Sequence, residues 1–220
     1  MEYRVLVTGG SRGIGKAVCD LYSDKGYDVT SPGRKEMDLE DIVSVREFVS
    51  KNQNFDIVIN NAGSNDIMNI DNLDDKSVRS MMMTNLVSPM VLIGELVPQM
   101  KSRRFGRIVN IGSVLGTVSS PGRVVYAATK SGINGVTRTL SVELAPWNIL
   151  VNTVSPGYTL TDLTLKNNTA EQLRSIGERI PLGRLAEPEE MAAAVFFVGN
   201  ENNTYLTGQN IIVDGGFSVQ

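Results

Sequence analysis

Short apolar, β-branched runs recur along this chain, each followed sooner or later by a longer stretch with helical spacing. The runs fall at residues 4–8, 28–31, 55–60, 106–111, 150–155 and 210–213, and the helical patterns at 14–25, 39–52, 78–101, 124–144 and 188–199. Continuous apolar runs are what strands covered on both faces require. Such alternation predicts right-handed βαβ units in an α/β fold. The expected architecture is a Rossmann-type, doubly wound parallel sheet flanked by helices. One crossover departs from that plan. Residues 33–38 leave no room for a helix between the second run and the next extended piece. The crossover after the second strand is therefore expected to be truncated, with one sheet edge abbreviated.

A length of 220 residues suits one domain with a full core, and no repeat or Gly/Ser/Pro linker divides it. Residues 1–220 are thus expected to form a single domain. The strand-like run beginning at Tyr3 leaves no room for a basic segment and an apolar segment before it, so a signal peptide is not expected. No apolar stretch approaches the roughly 20 residues of a membrane span. A cytoplasmic protein is the expectation.

The chain has no histidine and one cysteine, Cys19. Ser-His-Asp and Cys-His nucleophile systems are therefore excluded within one chain, as is a conventional His/Cys zinc site. No internal disulfide can form, which suits a reducing compartment. A net charge of −3 gives no sign of a nucleic-acid or anionic-membrane partner. Proton chemistry in such a chain must run through Tyr, Lys, Asp/Glu or water.

The segment Thr8-Gly9-Gly10-Ser11-Arg12-Gly13-Ile14-Gly15 leaves the first strand and opens the first helix. Glycines there let the chain turn tightly and let a pyrophosphate approach the N–H groups of a helix N-terminus. Its spacing is G-x-x-x-G-x-G rather than G-x-G-x-x-G. Further motifs follow in order: Asn60-Asn61-Ala62-Gly63, Asn85, Ser113, Tyr126-Ala127-Ala128-Thr129-Lys130 and Pro156-Gly157. Together they resemble the short-chain dehydrogenase/reductase family over nearly the whole chain. The stretch Ile180-Pro181-Leu182-Gly183-Arg184-Leu185 and the tail from Leu206-Thr207-Gly208 to Asp214-Gly215-Gly216 are most similar to 3-oxoacyl-acyl-carrier-protein reductases.

Tyr126 and Lys130 stand four apart in a helical pattern, so they share a face. A free phenol has a pKa near 10, and a nearby ammonium lowers it. Ser113 lies at the carboxyl end of an expected strand, where ligands of open α/β sheets bind. The resemblance implies that Ser113 hydrogen-bonds the substrate oxygen and Tyr126 is the acid/base. It implies that Lys130 tunes Tyr126 and holds the nicotinamide ribose, while Asn85 positions a water for proton relay. No metal is called for. The reading of Asn85 as a capping or kink-satisfying side chain stays open at this point.

An NAD enzyme usually carries an acid at the end of the second strand. That position falls on Gly33, with Arg34 next and Arg12 in the glycine turn. Two guanidinium groups would welcome a 2′-phosphate, so NADP(H) is the preferred cofactor and NAD(H) the possible one. By resemblance, Asp38 contacts the adenine amino group, Asn61, Ala62 and Gly63 line the adenosine ribose, and Pro156, Gly157 and Thr161 flank the nicotinamide. Gly9, Ser11, Gly13, Ile14, Gly15, Leu39 and Thr159 complete the expected cofactor contacts.

Residues 158–185 resemble a mobile lid over substrate. Carrier-protein reductases carry basic residues at the mouth. Arg104 falls where one belongs, but Trp147 replaces the second. The resemblance implies pairing of the two long helices, giving a homodimer or homotetramer. The function implied is NADPH-dependent reduction of a carbonyl, 3-oxoacyl-type or a related ketone, on a small or carrier-linked substrate. An NAD-dependent alcohol or sugar dehydrogenase working oxidatively, and a non-catalytic dinucleotide sensor, are the alternatives. A sensor would need the glycine turn but not an acid/base.

Overall fold

A computed structural model describes residues 3–220; Met1 and Glu2, the start of the expected domain, lie outside the described residues. Six parallel strands form one sheet in the order β2-β1-β3-β4-β5-β6. They are β1 (Arg4–Val7), β2 (Asp28–Thr30), β3 (Ile57–Asn60), β4 (Gly106–Ile111), β5 (Ile149–Pro156) and β6 (Asn210–Val213). Alternate residues of each central strand serve opposite faces, as the two-residue period requires. Leu6, Val58, Ile108 and Val151 join one cluster, where α2 (Ile42–Lys51), α4 (Ser88–Arg103) and α5 (Val124–Leu144) cover the sheet. Val5, Val7, Ile57, Ile59, Val109 and Val154 join the other, beneath α1 (Gly13–Asp24) and α8 (Pro188–Gly199). Both faces are thus sealed, which is why the central strands carry apolar residues toward each of them.

The helices begin where the local chemistry lets them. Asp41 accepts from the Val43 N–H at 2.9 Å and starts α2. Asp74 accepts from Ser77 N–H at 2.8 Å and starts α3 (Asp75–Met82). Pro188 occupies the first turn of α8 behind a Glu187/Glu190 capping box.

The truncated crossover is present. After β2 the chain makes a turn at residues 34–36, forms no further strand before α2, and crosses β1 to enter β3 on its far side. The sheet therefore ends at β2. Successive strands are added to one side of β1 and then to the other, and between the parallel β1 and β3 the carboxyl ends open a crevice.

Two elements differ from expectation. The helix expected over 78–101 is a longer helical run, α3, then a π-helical stretch Met83–Val87, then α4. The whole run Asp75–Arg103 is long and apolar enough to cross a membrane by length and composition, although no single apolar run in it is. It is a core helix: Leu92, Ile93, Leu96 and Met100 pack on the sheet. The expected lid contains two short helices, α6 (Asp162–Asn167) and α7 (Ala170–Glu178). Caps Thr161 and Thr169 explain both, since each hydroxyl accepts a first-turn N–H.

Candidate active site

A cleft of about 650 Å³ runs along the carboxyl ends of β1, β3, β4 and β5 and is closed on one side by α6. Every residue expected to bind cofactor lines it, from the turn at 9–15 through Arg34, Asp38, Leu39 and Asn61–Gly63 to Pro156, Gly157, Thr159 and Thr161. The glycine turn forms a cradle that side chains would fill. Gly9 has φ +69°, and a Cβ on Gly15 would meet the Gly9 carbonyl at 2.2 Å. Asn61 holds the turn by donating to the carbonyls of Thr8 (2.9 Å) and Gly9 (3.1 Å). Arg12, ahead of α1, makes no side-chain cap, so the first N–H groups of α1 meet the cradle uncapped. A pyrophosphate fits this donor set by charge and by shape.

At the other end, Ser113, Tyr126 and Lys130 come together. Ser113 terminates the β4 run and its hydroxyl accepts from Leu115 N–H at 3.1 Å. Lys130 is buried on α5 and donates to the Ile111 carbonyl at 2.7 Å. No carboxylate pairs with it among the described residues, and burial pushes its pKa down to about 8. Its Nζ lies 5.6 Å from the centre of the Tyr126 ring. The phenol differs from expectation. Burial raises the Tyr126 pKa, while the Ser113 hydroxyl and the Arg123 charge oppose the rise. Desolvation outweighs the neighbouring charges, and the cation acting on the phenol is Arg123, which spacing did not single out.

Asn85 stands behind the cleft wall, in the π-helical stretch, rather than on the wall itself. Its side chain accepts from Ser64 N–H (2.9 Å) and donates to Ser64 C=O (2.8 Å) and Thr129 Oγ1 (3.2 Å). It braces the loop after β3 against α5. A Cβ on Gly63 would come within 3.3 Å of Asn85 Oδ1 and 3.7 Å of Lys130 Nζ, so glycine lets these two groups face one space.

Arg34 is not free. Its guanidinium pairs with Asp38 (3.2 Å) and Glu40 (2.7 Å), and the Glu36 carboxylate accepts from Gly33 N–H at 2.8 Å. Three acids therefore crowd the place from which sequence removed one. The alternation Arg34-Lys35-Glu36-Met37-Asp38-Leu39-Glu40 was the available signal. Arg104 also moves. It follows α4 and leads into the amino end of β4, opposite the cleft, where it donates to the Pro146 carbonyl at 2.9 Å and stacks on Trp147. It is not a mouth residue.

Comparison with known proteins agrees with this architecture. A family model described as Enoyl-(Acyl carrier protein) reductase matches residues 34–218. The 3-oxoacyl-[acyl-carrier-protein] reductase FabG of Rickettsia prowazekii is 35% identical, covering 96% of this chain and 95% of that protein. The FabG of Haemophilus influenzae is 34% identical, covering 96% of each. A solved structure of ElxO with NADP bound superposes with a TM-score of 0.92 at 27% identity over 100% of both chains. The crevice between β1 and β3 and the matches along the chain lead to one conclusion: this protein belongs to the short-chain dehydrogenase/reductase family, oxidoreductases that interconvert CH–OH and C=O with NAD(P), and is most like FabG.

Proposed function

We propose that this protein is an NADPH-dependent carbonyl reductase acting on 3-oxoacyl-type or related ketones, with Ser113, Tyr126 and Lys130 at the reacting end and Asn85 as their brace. The observation that carries the reading is the convergence of a phenol, a buried unpaired ammonium and a hydroxyl at one end of a cleft. Its other end is a glycine cradle on a helix N-terminus. Bound NADPH supplies a hydride to the carbonyl carbon, so that ketone, NADPH and one proton give alcohol and NADP⁺. The chain's own work is the rest. Gly9–Gly15 and Asn61–Gly63 hold the dinucleotide, with Asp38, Leu39, Pro156, Gly157, Thr159 and Thr161 along its length. The Ser113 hydroxyl donates to the substrate oxygen. Tyr126 gives its hydroxyl proton to that oxygen as negative charge develops there. A phenol whose pKa is raised by burial holds its proton until an oxyanion more basic than itself forms. Lys130 Nζ, 5.6 Å from the ring centre, joins Arg123 in favouring the phenolate left behind. Residues 158–185 close over the substrate, clipped at their base by Leu160 N–H to Ala186 C=O and Ala186 N–H to Tyr158 C=O. The protein works in the cytoplasm as a homodimer or homotetramer.

A second reading, NAD-dependent oxidation of an alcohol or sugar, is favoured by one observation, the acids around Arg34. The test is a panel of ketones and alcohols followed by nicotinamide absorbance, with Tyr126→Phe alongside. Ketone-dependent NADPH consumption should fall by orders of magnitude in the variant while NADPH affinity changes little. A variant keeping more than roughly a tenth of kcat would remove Tyr126 from the role of acid.

A further inference from the structure

Arg123, whose charge acts on the Tyr126 phenol, stands in the same cleft with donors to spare. It precedes the first turn of α5, three residues before Tyr126, and lines the cleft at its substrate end. Its side chain is half-buried, and burial lowers its pKa. Among the described residues only Nη1 finds acceptors, the Asn65 side-chain oxygen at 2.5 Å and the Asn65 carbonyl at 3.5 Å. Among the described residues no carboxylate forms an ion pair with it, neither Asp66 beside Asn65 nor Asp162 on the lid. Elsewhere in the cleft the one paired guanidinium, Arg34, holds two acids. A cation withdrawn from water without a counter-ion is costly, and a fork with Nε and Nη2 unused is suited to a planar anion.

The anion is not the dinucleotide's. The pyrophosphate cradle is at the N-terminus of α1, and Arg12 and Arg34 stand at that end. Arg123 instead shares its neighbourhood with Tyr126 and Tyr158, the two hydroxyls that act on its charge. Other walls nearby are polar as well: Asn65, Thr164, Asn167 and Asn168. Asn167 donates to the Asn65 carbonyl at 3.2 Å, so the lid rests on the residue that orients Arg123. Val114, Leu115 and Leu163 also line the cleft and can take a short carbon chain, and the fixed fork adds a partner for a carboxylate on it. Arg123 and Tyr126 line the same end of the cleft and their charges act on one another, which puts a bound anion on the side of the reacting carbonyl.

Resting on the reductase reading, we propose that Arg123 determines substrate choice by binding a carboxylate, and that the protein prefers compact oxo acids, with the carboxylate a few bonds from the ketone, over neutral ketones. The test compares 3-oxobutanoate with its methyl ester, which carries the same ketone without the charge, in the NADPH-loaded wild type, Arg123→Met and Arg123→Lys. The wild type should favour the acid at least tenfold in kcat/KM, with the difference in KM. In Arg123→Met the acid-to-ester ratio should fall to about one, and Arg123→Lys should restore part of it. A wild type that prefers the ester overturns the proposal. So does an Arg123→Met that loses acid and ester equally, in kcat and with a shifted pH profile, because Arg123 would then act only through Tyr126. The thermal shift of the loaded protein on adding 3-oxobutanoate separates this from the reductase reading. A shift abolished by Arg123→Met but no turnover of either compound leaves the subsite standing and removes the reaction. No shift in the wild type removes the subsite.

Discussion

Lys130 is buried at 4% exposure, donates to one carbonyl and faces a space it shares with Asn85. Its folded pKa of about 8 lies below the ordinary 10.5, so the folded protein gives up this proton first as pH rises. Below about pH 8 both folded and unfolded chains are protonated and the full desolvation cost is present. Between about 8 and 10.5 the unfolded chain holds more protons, so wild-type stability from this group increases with pH. The fall from 10.5 to about 8 corresponds to about 3 kcal/mol. The cofactor-free Lys130→Met variant is therefore expected to gain stability over wild type at pH 7 and to lose that advantage by pH 10. Urea denaturation at both values measures it, and a difference independent of pH would show that burial does not perturb the ammonium.

At this scale the sequence was legible where spacing carries the meaning. Tyr126 and Lys130 sit one turn apart on α5 and meet Ser113 as expected. What it concealed were partnerships made by burial or by side chains far apart in the chain. Arg123 needs Asn65, 58 residues away, to become visible. The direction of the Tyr126 shift is a balance of desolvation against charge, and only a folded environment sets it. Gly63 carries a smaller expectation. Because Gly63 lines the cofactor cleft as well as the space between Asn85 and Lys130, Gly63→Ala should lower kcat and raise Kd for NADPH together, measured by turnover and fluorescence titration; both unchanged would show that space to be idle.

Among the elements, the turn after β2 is the one to which the proposed reading gives cofactor choice. Arg34 is 70% exposed in its side chain, and exposed ion pairs contribute little, so a dianionic 2′-phosphate can draw the guanidinium from Asp38 and Glu40. The same acids repel that phosphate. Glu40→Gln is expected to raise the NADPH-to-NADH ratio of kcat/KM several-fold, and Arg34→Ala to lower it below wild type. A wild-type ratio at or below one would instead give the turn to NAD, with Glu36 standing in for the carboxylate that Gly33 lacks. Strand positions and the truncated crossover could be read from apolar runs, because both faces of the sheet are covered. The π-helical stretch could not, since one widened turn leaves the apolar period of 78–101 almost unchanged. The lid helices escaped because their polar, Thr/Asn-rich residues hold their ends by capping rather than by an apolar face.

For the whole molecule, the expected dimer or tetramer concerns outward faces of helices. Val142 on α5 is 78% exposed and Met90 on α4 is 40% exposed, apolar groups that a partner copy would cover. Light scattering should report a dimer or tetramer, and Val142→Arg should reduce its mass by half or more without loss of helical signal. A monomeric wild type would end that expectation. The missing crossover bears on the same question from another side. Because nothing extends the sheet past β2, its border is three residues long, and the opposite border, β6, is four. Such stubs offer a stray strand too few amides and carbonyls to zip against, which guards the molecule from fibre-like stacking. Self-recognition must then be written in side chains, and a single charge can erase it.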